Sequence, residues 1–169
     1  MYSEGELYEY ALRALGRRMR SVAELKRLLR PRVRSETEFG QTLIELVIRR
    51  LKDQGYLNDA KYAAAYSVFR RDNEKFGRMR VITDLKAKGV HGEVIEKAVA
   101  SAYDAVNEEK QAHEYLRRKR LARPKDPKQA ARIFRQLARA GFGSRTIFSI
   151  LKQWEVDEEM LATLESESF

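Results

Sequence analysis

One pattern recurs in this chain at a fixed spacing and constrains the fold more than any other feature. LKAKGV (85–90) and LARAGF (137–142) each place a glycine four residues after a leucine and directly before an apolar residue. This spacing is typical of a helix that ends in a Schellman cap, where glycine adopts a left-handed backbone and the apolar residues on either side touch. The stretches lie 52 positions apart (137 − 85), and Ile95 and Ile147 match at the same offset. We therefore predict tandem repeats.

Two earlier stretches extend the series, the first in full, with Leu51 and Tyr56 as the apolar pair that touches, and the second in part. LKDQGY (51–56) has the glycine and is followed at once by a helix start, which Asn58 or Asp59 caps. LLRPRV (28–33), 57 positions before the leucine at 85 (85 − 28), keeps the apolar spacing but has Pro31 instead of a glycine turn. A period of about 50 residues therefore extends along the chain.

Apolar residues at helical spacing between these caps predict three helices in each repeat. Ser21 opens a capping box, and Asp126 caps a helix that begins with Pro127. The helix after Asp59 should bury a stripe of Tyr62, Ala63, Tyr66 and Phe69. The predicted helices are 5–18, 21–30 and 41–54, then 59–73, 77–88 and 92–104, then 107–122, 127–140 and 144–154.

The predicted fold is all-α, with three tandem three-helix repeats at residues 1–57, 58–105 and 106–155 and an acidic C-terminal tail at 156–169. A unit of about 50 residues has a thin core, so each repeat should pack against its neighbour. We expect an elongated, curved molecule that suits an extended partner better than a small substrate.

Composition agrees with a helical protein. Only 9 glycines and 3 prolines occur, while charged residues make up 35%. The chain has no cysteine, which excludes disulfides and cysteine-ligated zinc. No signal peptide and no membrane-spanning run is expected, because the N-terminus has no long apolar stretch. We therefore expect a cytoplasmic protein.

The charge is basic and unevenly distributed. The formal net charge is +9. Residues 13–34 contain nine basic residues and one acid, and residues 117–145 contain eleven and one. Such tracts favour a polyanionic partner, either nucleic acid or an acidic protein face, over charge needed only for solubility. The acidic end after Lys152 is interpreted as ordinary solvated surface.

The residue types of catalytic or metal sites are scarce. His91 lies in a turn and is interpreted as a cap or loop residue, while His113 has no histidine partner at metal-ligand spacing. Asp104, Glu108 and Glu109 are interpreted as a solvated acidic patch. We therefore predict no enzyme activity, no cofactor and no metal.

FRRDNEKFGRMR (69–80) interleaves basic and aromatic residues, with arginines on both sides of Phe76. Arginine can grip phosphate or carboxylate with two hydrogen bonds, and an aromatic ring can stack on a base or fill a pocket. For Phe76 itself, a core anchor is the favoured interpretation.

Three stretches resemble, in order, the motifs of the RecX family, regulators of the bacterial RecA recombinase. They are YALRALGRRMRSVAELKRLL (10–29), GYLNDAKYAAAYSVFRR (55–71) and FGRMRVITDLKAKGV (76–90). The resemblance covers about residues 8–153. Two departures are Asn58, where the family has aspartate, and a longer loop at 31–41. The matching positions are Tyr10, Ala11, Leu12, Arg20, Ser21, Glu24, Leu25, Gly55, Tyr56, Leu57, Asn58, Asp59, Tyr62, Ala63, Gly77, Arg80, Val81, Leu85, Lys88, Gly89 and Val90.

The resemblance implies three three-helix repeats and a function in DNA recombination, repair and the SOS response. RecX-like proteins bind the RecA filament on single-stranded DNA and inhibit ATP hydrolysis and strand exchange. The implied partners are the filament and single-stranded DNA, reached directly or through the filament, and a monomer is expected. The motifs do not specify the contact residues. The candidates are Arg17, Arg18, Arg20, Arg27 and Arg30 in the first repeat and Arg70, Arg71, Arg78 and Arg80 in the second.

Two other functions compete with this one. The chain could be a stand-alone basic nucleic-acid-binding protein built on a helix-turn-helix. However, the helix at 92–104 is net acidic, so a DNA groove would repel it. A purely structural scaffold would not need the basic tracts.

Overall fold

The computed structural model describes residues 1–167, and this stretch contains ten α-helices and no strand. The all-α prediction is therefore confirmed. None of these helices is both long and apolar enough to cross a membrane. A short 3₁₀ helix, Arg30–Arg32, follows α2, and a π-helical turn, Arg70–Glu74, follows α4. The α-helices are α1 (Glu4–Arg17), α2 (Val22–Leu29), α3 (Glu38–Asp53), α4 (Asp59–Phe69), α5 (Arg78–Ala87), α6 (Gly92–Tyr103), α7 (Glu108–Arg118), α8 (Pro127–Arg139), α9 (Ser144–Gln153) and α10 (Glu158–Glu167).

The predicted glycine caps are confirmed at the ends of α3, α5 and α8. Gly55, Gly89 and Gly141 have φ angles of 78°, 75° and 97°. In each case the N–H of the following residue donates to the carbonyl five residues back, as a Schellman cap requires. These bonds run from Tyr56 to Leu51 (2.9 Å), from Val90 to Leu85 (3.2 Å) and from Phe142 to Leu137 (3.2 Å).

Helices α7 and α9 end in the same way without glycine. Arg120 and Glu155 occupy the left-handed position, with φ angles of 54° and 55°. The closing hydrogen bonds run from Leu121 to Leu116 (2.9 Å) and from Val156 to Leu151 (3.1 Å). The left-handed backbone costs an ordinary residue roughly 1–2 kcal/mol. A pattern defined by glycine therefore reveals only part of a cap that recurs along the chain.

The first repeat departs from the pattern at Pro31. Helix α2 passes into the 3₁₀ helix that contains this proline, and the N–H of Val33 donates to the Arg30 carbonyl at 3.4 Å. Val33 is buried, as the matched spacing predicts. The apolar contact is therefore kept, although the helix ends differently.

Predicted residues also begin the helices. Ser21 forms a capping box with Glu24, and Asp126 accepts a hydrogen bond from the Gln129 N–H at 2.8 Å. Asn58 caps α4, accepting from the Lys61 N–H at 3.0 Å. Helix α3 begins at residue 38 rather than 41 because the hydroxyl of Thr37 accepts from the backbone N–H at residue 40.

The first compact unit consists of residues 1–65 and 84–98. Its core lies between α1, α2 and α3, whose apolar stripes meet. Further buried residues, including Ile95, come from α6. The core includes Leu7, Ala11, Leu25, Leu29, Val47, Ile48, Leu51 and Leu57.

The second compact unit consists of residues 66–83 and the described chain from residue 99 onward. Helices α7, α8 and α9 form its core, with Leu116, Ile133, Leu137, Ile147 and Leu151 buried. Compact units group residues by their neighbours in space, whereas the predicted repeats are units of sequence. The repeat boundaries therefore stay a prediction.

Helix α10 belongs to the second unit and lies in the segment described above as an acidic tail. Leu161 and Leu164 are buried in the core of the unit. The carboxylate of Asp157 accepts from the Glu159 N–H at 3.1 Å at the start of the helix. The last two residues of the predicted tail, 168 and 169, lie outside the described part of the chain.

Candidate partner-binding surfaces

The five arginine candidates of the first repeat lie in the first unit, from the end of α1 to the end of α2. We call them the α2 surface. Arg17 and Arg30 are exposed, and neither forms an ion pair with another described residue. The other three have protein partners: Arg18 pairs with Glu24 (3.6 Å), Arg20 donates to the Ala14 carbonyl (3.4 Å), and Arg27 donates to the Ala87 carbonyl (3.4 Å).

A buried junction holds the start of α2 in place. The Ser21 hydroxyl donates to the Lys88 carbonyl at 2.6 Å, and the Lys88 ammonium lies 3.3 Å from a Glu24 oxygen. Burial opposes ionisation of Glu24. The hydrogen bond from the Ser21 N–H and the charges of Lys88 and Arg18 outweigh it, so the pKa of Glu24 is lowered. The start of α2, which follows Arg20 and precedes Arg27, is therefore firmly held.

The second-repeat candidates surround Phe76 in the second unit. We call Arg70, Arg71, Phe76, Arg78 and Arg80 the Phe76 cluster. The Phe76 ring packs on the core, 6.3 Å from the ring of Tyr115. The Phe76 carbonyl accepts from the Tyr103 hydroxyl at 2.7 Å and from the Gln111 amide at 3.4 Å. Phe76 is therefore a core anchor, as favoured from the sequence.

Two arginines of the cluster cover this ring. The guanidinium carbon of Arg80 lies 4.9 Å from the centre of the Phe76 ring, and that of Arg70 lies 5.9 Å from it. Arg70 also lies 5.0 Å from the centre of the Tyr66 ring. Arg80 donates to the carbonyl of Arg139 at 3.0 Å. Cation–π contacts hold both side chains, and a hydrogen bond also holds Arg80, so both contribute to the structure of the unit.

The remaining arginines of the cluster differ. Arg71 pairs with Asp72 at 2.7 Å and donates to the carbonyl of Ala102. The hydrogen bond from Arg71 lowers the pKa of Asp72. Arg78 is exposed and forms no ion pair with the described residues. Of the four, Arg78 is therefore the most available to a partner.

Phe69 and Met79 lie beside these arginines in the sequence and are 53% and 54% exposed. The prediction that Phe69 is buried is wrong. In α4 the residues Tyr62, Ala63 and Ser67 are buried, whereas Phe69, which falls within about 20° of Tyr62 around the helix, is left exposed at the last position of α4. Exposed aromatic and methionine side chains near arginine are typical of protein-binding surfaces. Neither residue was predicted as a contact from the sequence, and Phe69 has the helical spacing of core positions.

The acidic residues singled out from the sequence are mostly structural. Glu108 accepts from the Gly143 N–H at 3.0 Å and from the Thr146 hydroxyl at 2.5 Å, and it thereby joins α7 to the start of α9. Glu109 accepts from Ser149 at 3.2 Å. These two are therefore not the solvated patch that was expected. Within residues 1–167, no group of three or more His, Asp or Glu side chains could hold a metal ion.

Known proteins show which family this arrangement belongs to. Residues 58–99 match the family model described as RecX, second three-helix domain. Regulatory protein RecX of Leptothrix cholodnii is 35% identical over 144 residues, covering 84% of this chain and 85% of the relative. The chain belongs to the RecX family. Regulatory protein RecX of Deinococcus radiodurans is 36% identical over 87% of this chain and 67% of the relative. RecX of Bacillus subtilis is 32% identical over 90% of this chain and 56% of the relative, so this chain spans little more than half of that protein.

Solved RecX structures have the same fold. The crystal structure of RecX from Lactobacillus salivarius has a TM-score of 0.67 at 20% identity and covers 90% of this chain and 96% of its own. A second crystal structure, of a regulatory protein RecX, has a TM-score of 0.63. The predicted architecture of three-helix repeats is therefore confirmed. The sequence relatives, not these structures, make the chain a regulatory protein of the RecX type.

The RecX motif residues mainly build the fold. Gly55 and Gly89 end helices, Asn58 begins one, and Leu57 and Leu85 are buried. Membership of the family therefore explains the helical framework, whereas Arg78 and Phe69 are exposed and take no part in it.

Proposed function

We propose that this protein binds RecA filaments on single-stranded DNA and inhibits their ATPase and strand-exchange activities. Its membership of the RecX family carries the proposal, because regulation of RecA is what the sequence resemblance implies. The two arginine surfaces add physical support, since their positive charge suits an acidic protein face or DNA phosphates. The filament lies in the cytoplasm, where we place this activity.

The nine arginines are proposed contacts, and they differ in how far internal contacts already hold their side chains. Arg17, Arg30 and Arg78 are exposed and have no ion pair in the described chain, so they can bind a partner without breaking internal contacts. Arg71 and Arg80 hold backbone carbonyls, so replacing them also disturbs the fold. Mutational tests of partner binding should therefore begin with Arg17, Arg30 and Arg78. Phe69, next to Arg70 in the sequence, and Met79, next to Arg78, are proposed as apolar anchors.

Inhibition follows from many contacts made by one helical protein. Each arginine pair with a carboxylate or phosphate is individually modest, but linked contacts add as avidity. A monomer that touches more than one recombinase protomer would oppose the relative movements that ATP turnover requires. Strand exchange would be inhibited for the same reason.

The test is the steady-state ATPase rate of the cognate RecA on single-stranded DNA, with this protein titrated in at near-physiological salt. Fluorescence anisotropy on bare DNA is the control. Inhibition at protein concentrations well below that of RecA, with much weaker binding to bare DNA, supports the proposal. Absence of inhibition together with tight, salt-sensitive DNA binding would instead indicate a stand-alone nucleic-acid-binding protein.

A further inference from the structure

Helix α8 carries an exposed basic stripe outside the surfaces described so far. At about 100° per residue, its four side chains fall within about 60° of one another around the helix. The buried residues Ala130, Ile133 and Leu137 occupy the opposite face. We call this set the α8 stripe. It consists of Lys128, Arg132, Arg135 and Arg139, all exposed.

The charge of the stripe is not neutralised within the described chain. None of its four side chains forms an ion pair with another residue in 1–167. The only acid between residues 117 and 145 is Asp126, whose carboxylate caps α8. The stripe therefore presents a row of cations, about 17 Å long at a rise of 1.5 Å per residue.

The surroundings of the stripe favour phosphate over protein as its ligand. Protein interfaces are anchored by buried aromatic and apolar side chains. Helix α8 itself exposes no large hydrophobic residue, and the exposed Met79 lies only near the Arg139 end, where its N–H donates to the Gly141 carbonyl at 3.3 Å. Along the rest of its length the α8 stripe has cations without such anchors, and three of the four are arginines, whose planar groups bind phosphate with two hydrogen bonds.

We propose that the α8 stripe binds the phosphate backbone of a nucleic acid strand directly. This deepens the proposed function, which brings the protein to a filament containing single-stranded DNA, but the binding itself needs no recombinase. Arg80 of the Phe76 cluster donates to the Arg139 carbonyl at 3.0 Å, so the stripe begins where that cluster ends. Protein contacts and phosphate contacts would then lie side by side.

Helix α10 modulates one end of the stripe. Lys128 shares a cleft with Asp157, Glu159 and Glu167. Carboxylates repel phosphate, so Lys128 should contribute less to binding than the three arginines.

The test compares the full chain with a variant carrying Lys128→Ala, Arg132→Ala, Arg135→Ala and Arg139→Ala. Anisotropy of a fluorescein-labelled single-stranded thymidine oligonucleotide gives the binding constant between 50 and 200 mM salt. Each lost phosphate contact lowers the slope of log K against log salt by about 0.7, so the variant should be shallower by about 2.1 from the three arginines and by up to about 2.8 with Lys128. Over this range, the affinity of the wild type should fall about 20- to 50-fold more than that of the variant. Circular dichroism should show unchanged helicity.

The matched control removes the same charge from exposed lysines elsewhere, with Lys52→Ala, Lys61→Ala, Lys86→Ala and Lys97→Ala. It should keep the wild-type slope. An equal loss of slope in both variants would show that net charge alone determines binding, and this would overturn the proposal. An unchanged slope in the stripe variant would also overturn it. So would a stripe variant that binds the oligonucleotide normally but no longer binds the filament, because the stripe would then contact protein. Failure of the wild type to inhibit RecA, with oligonucleotide binding retained, would count only against the proposed function.

Discussion

The guanidinium of Arg80 donates to the backbone carbonyl of Arg139 at 3.0 Å, while it lies over the ring of Phe76. The bond joins the start of α5 to the last turn of α8, where free carbonyls favour a cation. An arginine proposed as a partner contact therefore also stabilises the second unit. Arg78, two positions earlier, is exposed and forms no ion pair within the described residues.

This difference predicts that substitutions at positions 78 and 80 have different effects on stability. Arg80→Ala should lower the free energy of unfolding by about 1–2 kcal/mol, because it removes a charge-assisted hydrogen bond and a cation–π contact. Arg78→Ala should change stability by less than about 0.5 kcal/mol and weaken inhibition of RecA ATPase several-fold. Urea unfolding and the ATPase titration measure the two effects. Wild-type inhibition by a folded Arg78→Ala protein would remove Arg78 from the proposed site.

A close approach of two backbones predicts a glycine requirement. A Cβ on Gly77 would lie 2.4 Å from the carbonyl oxygen of Gly141. Gly77→Ala should therefore destabilise the protein by about 2 kcal/mol or more, because the backbone must move. Gly16 lies within α1 and has nothing within 4 Å, so Gly16→Ala should instead stabilise by about 0.5–1 kcal/mol. Thermal unfolding of both variants checks the pair, and equal effects would contradict the structure.

The left-handed helix ends predict that introducing glycine stabilises the protein and that removing glycine destabilises it. Arg120→Gly should stabilise the protein by up to about 1 kcal/mol, since glycine adopts the φ of 54° without strain. Gly55→Ala should destabilise by about 1 kcal/mol because of its φ of 78°, even though nothing crowds the site. Urea midpoints would report both changes. Destabilisation by Arg120→Gly would mean that the arginine side chain stabilises the fold by more than the backbone strain that glycine removes.

Tyr103 predicts a loss of stability at alkaline pH. Burial raises the pKa of its hydroxyl above the ordinary value of about 10, and the hydroxyl donates to the Phe76 carbonyl. The unfolded chain therefore releases this proton first, so the stabilisation is complete below about pH 10 and falls as the pH rises further. Tyr103→Phe should cost about 1 kcal/mol at neutral pH, and its difference from wild type should shrink above pH 10. Unfolding measured from pH 7 to 12 tests this, with exposed Tyr56→Phe as the control that should show no such change.

The framework was predictable because its signals are local. Gly89 and Gly141 each mark a helix end through a backbone conformation that few other residues tolerate. Arg120 and Glu155 make the same turn but carry no compositional signal, since packing and neighbouring hydrogen bonds impose their conformation. Helix α10 was missed because only Leu161 and Leu164 are buried in an acid-rich segment.

The candidate site was less predictable because exposure depends on tertiary packing. Charge composition identifies arginine tracts, but it cannot separate Arg71, which binds a distant carbonyl, from exposed Arg78. Phe69 follows the spacing of a buried stripe and falls on the same side of α4 as buried Tyr62, yet packing leaves it exposed at the end of the helix. Such distinctions arise from contacts between segments far apart in the chain.

The loop after α4 is fastened through its main chain. The Phe76 carbonyl accepts two hydrogen bonds, the Gly77 N–H donates to the Ala140 carbonyl at 2.8 Å, and the Arg71 carbonyl accepts from Gln111 at 2.7 Å. Exposed side chains on either side of it can therefore be exchanged while the backbone keeps its course. Divergence of partner choice among related proteins would then need only single substitutions at positions such as Phe69 and Arg78, with no refolding of the segment that displays them.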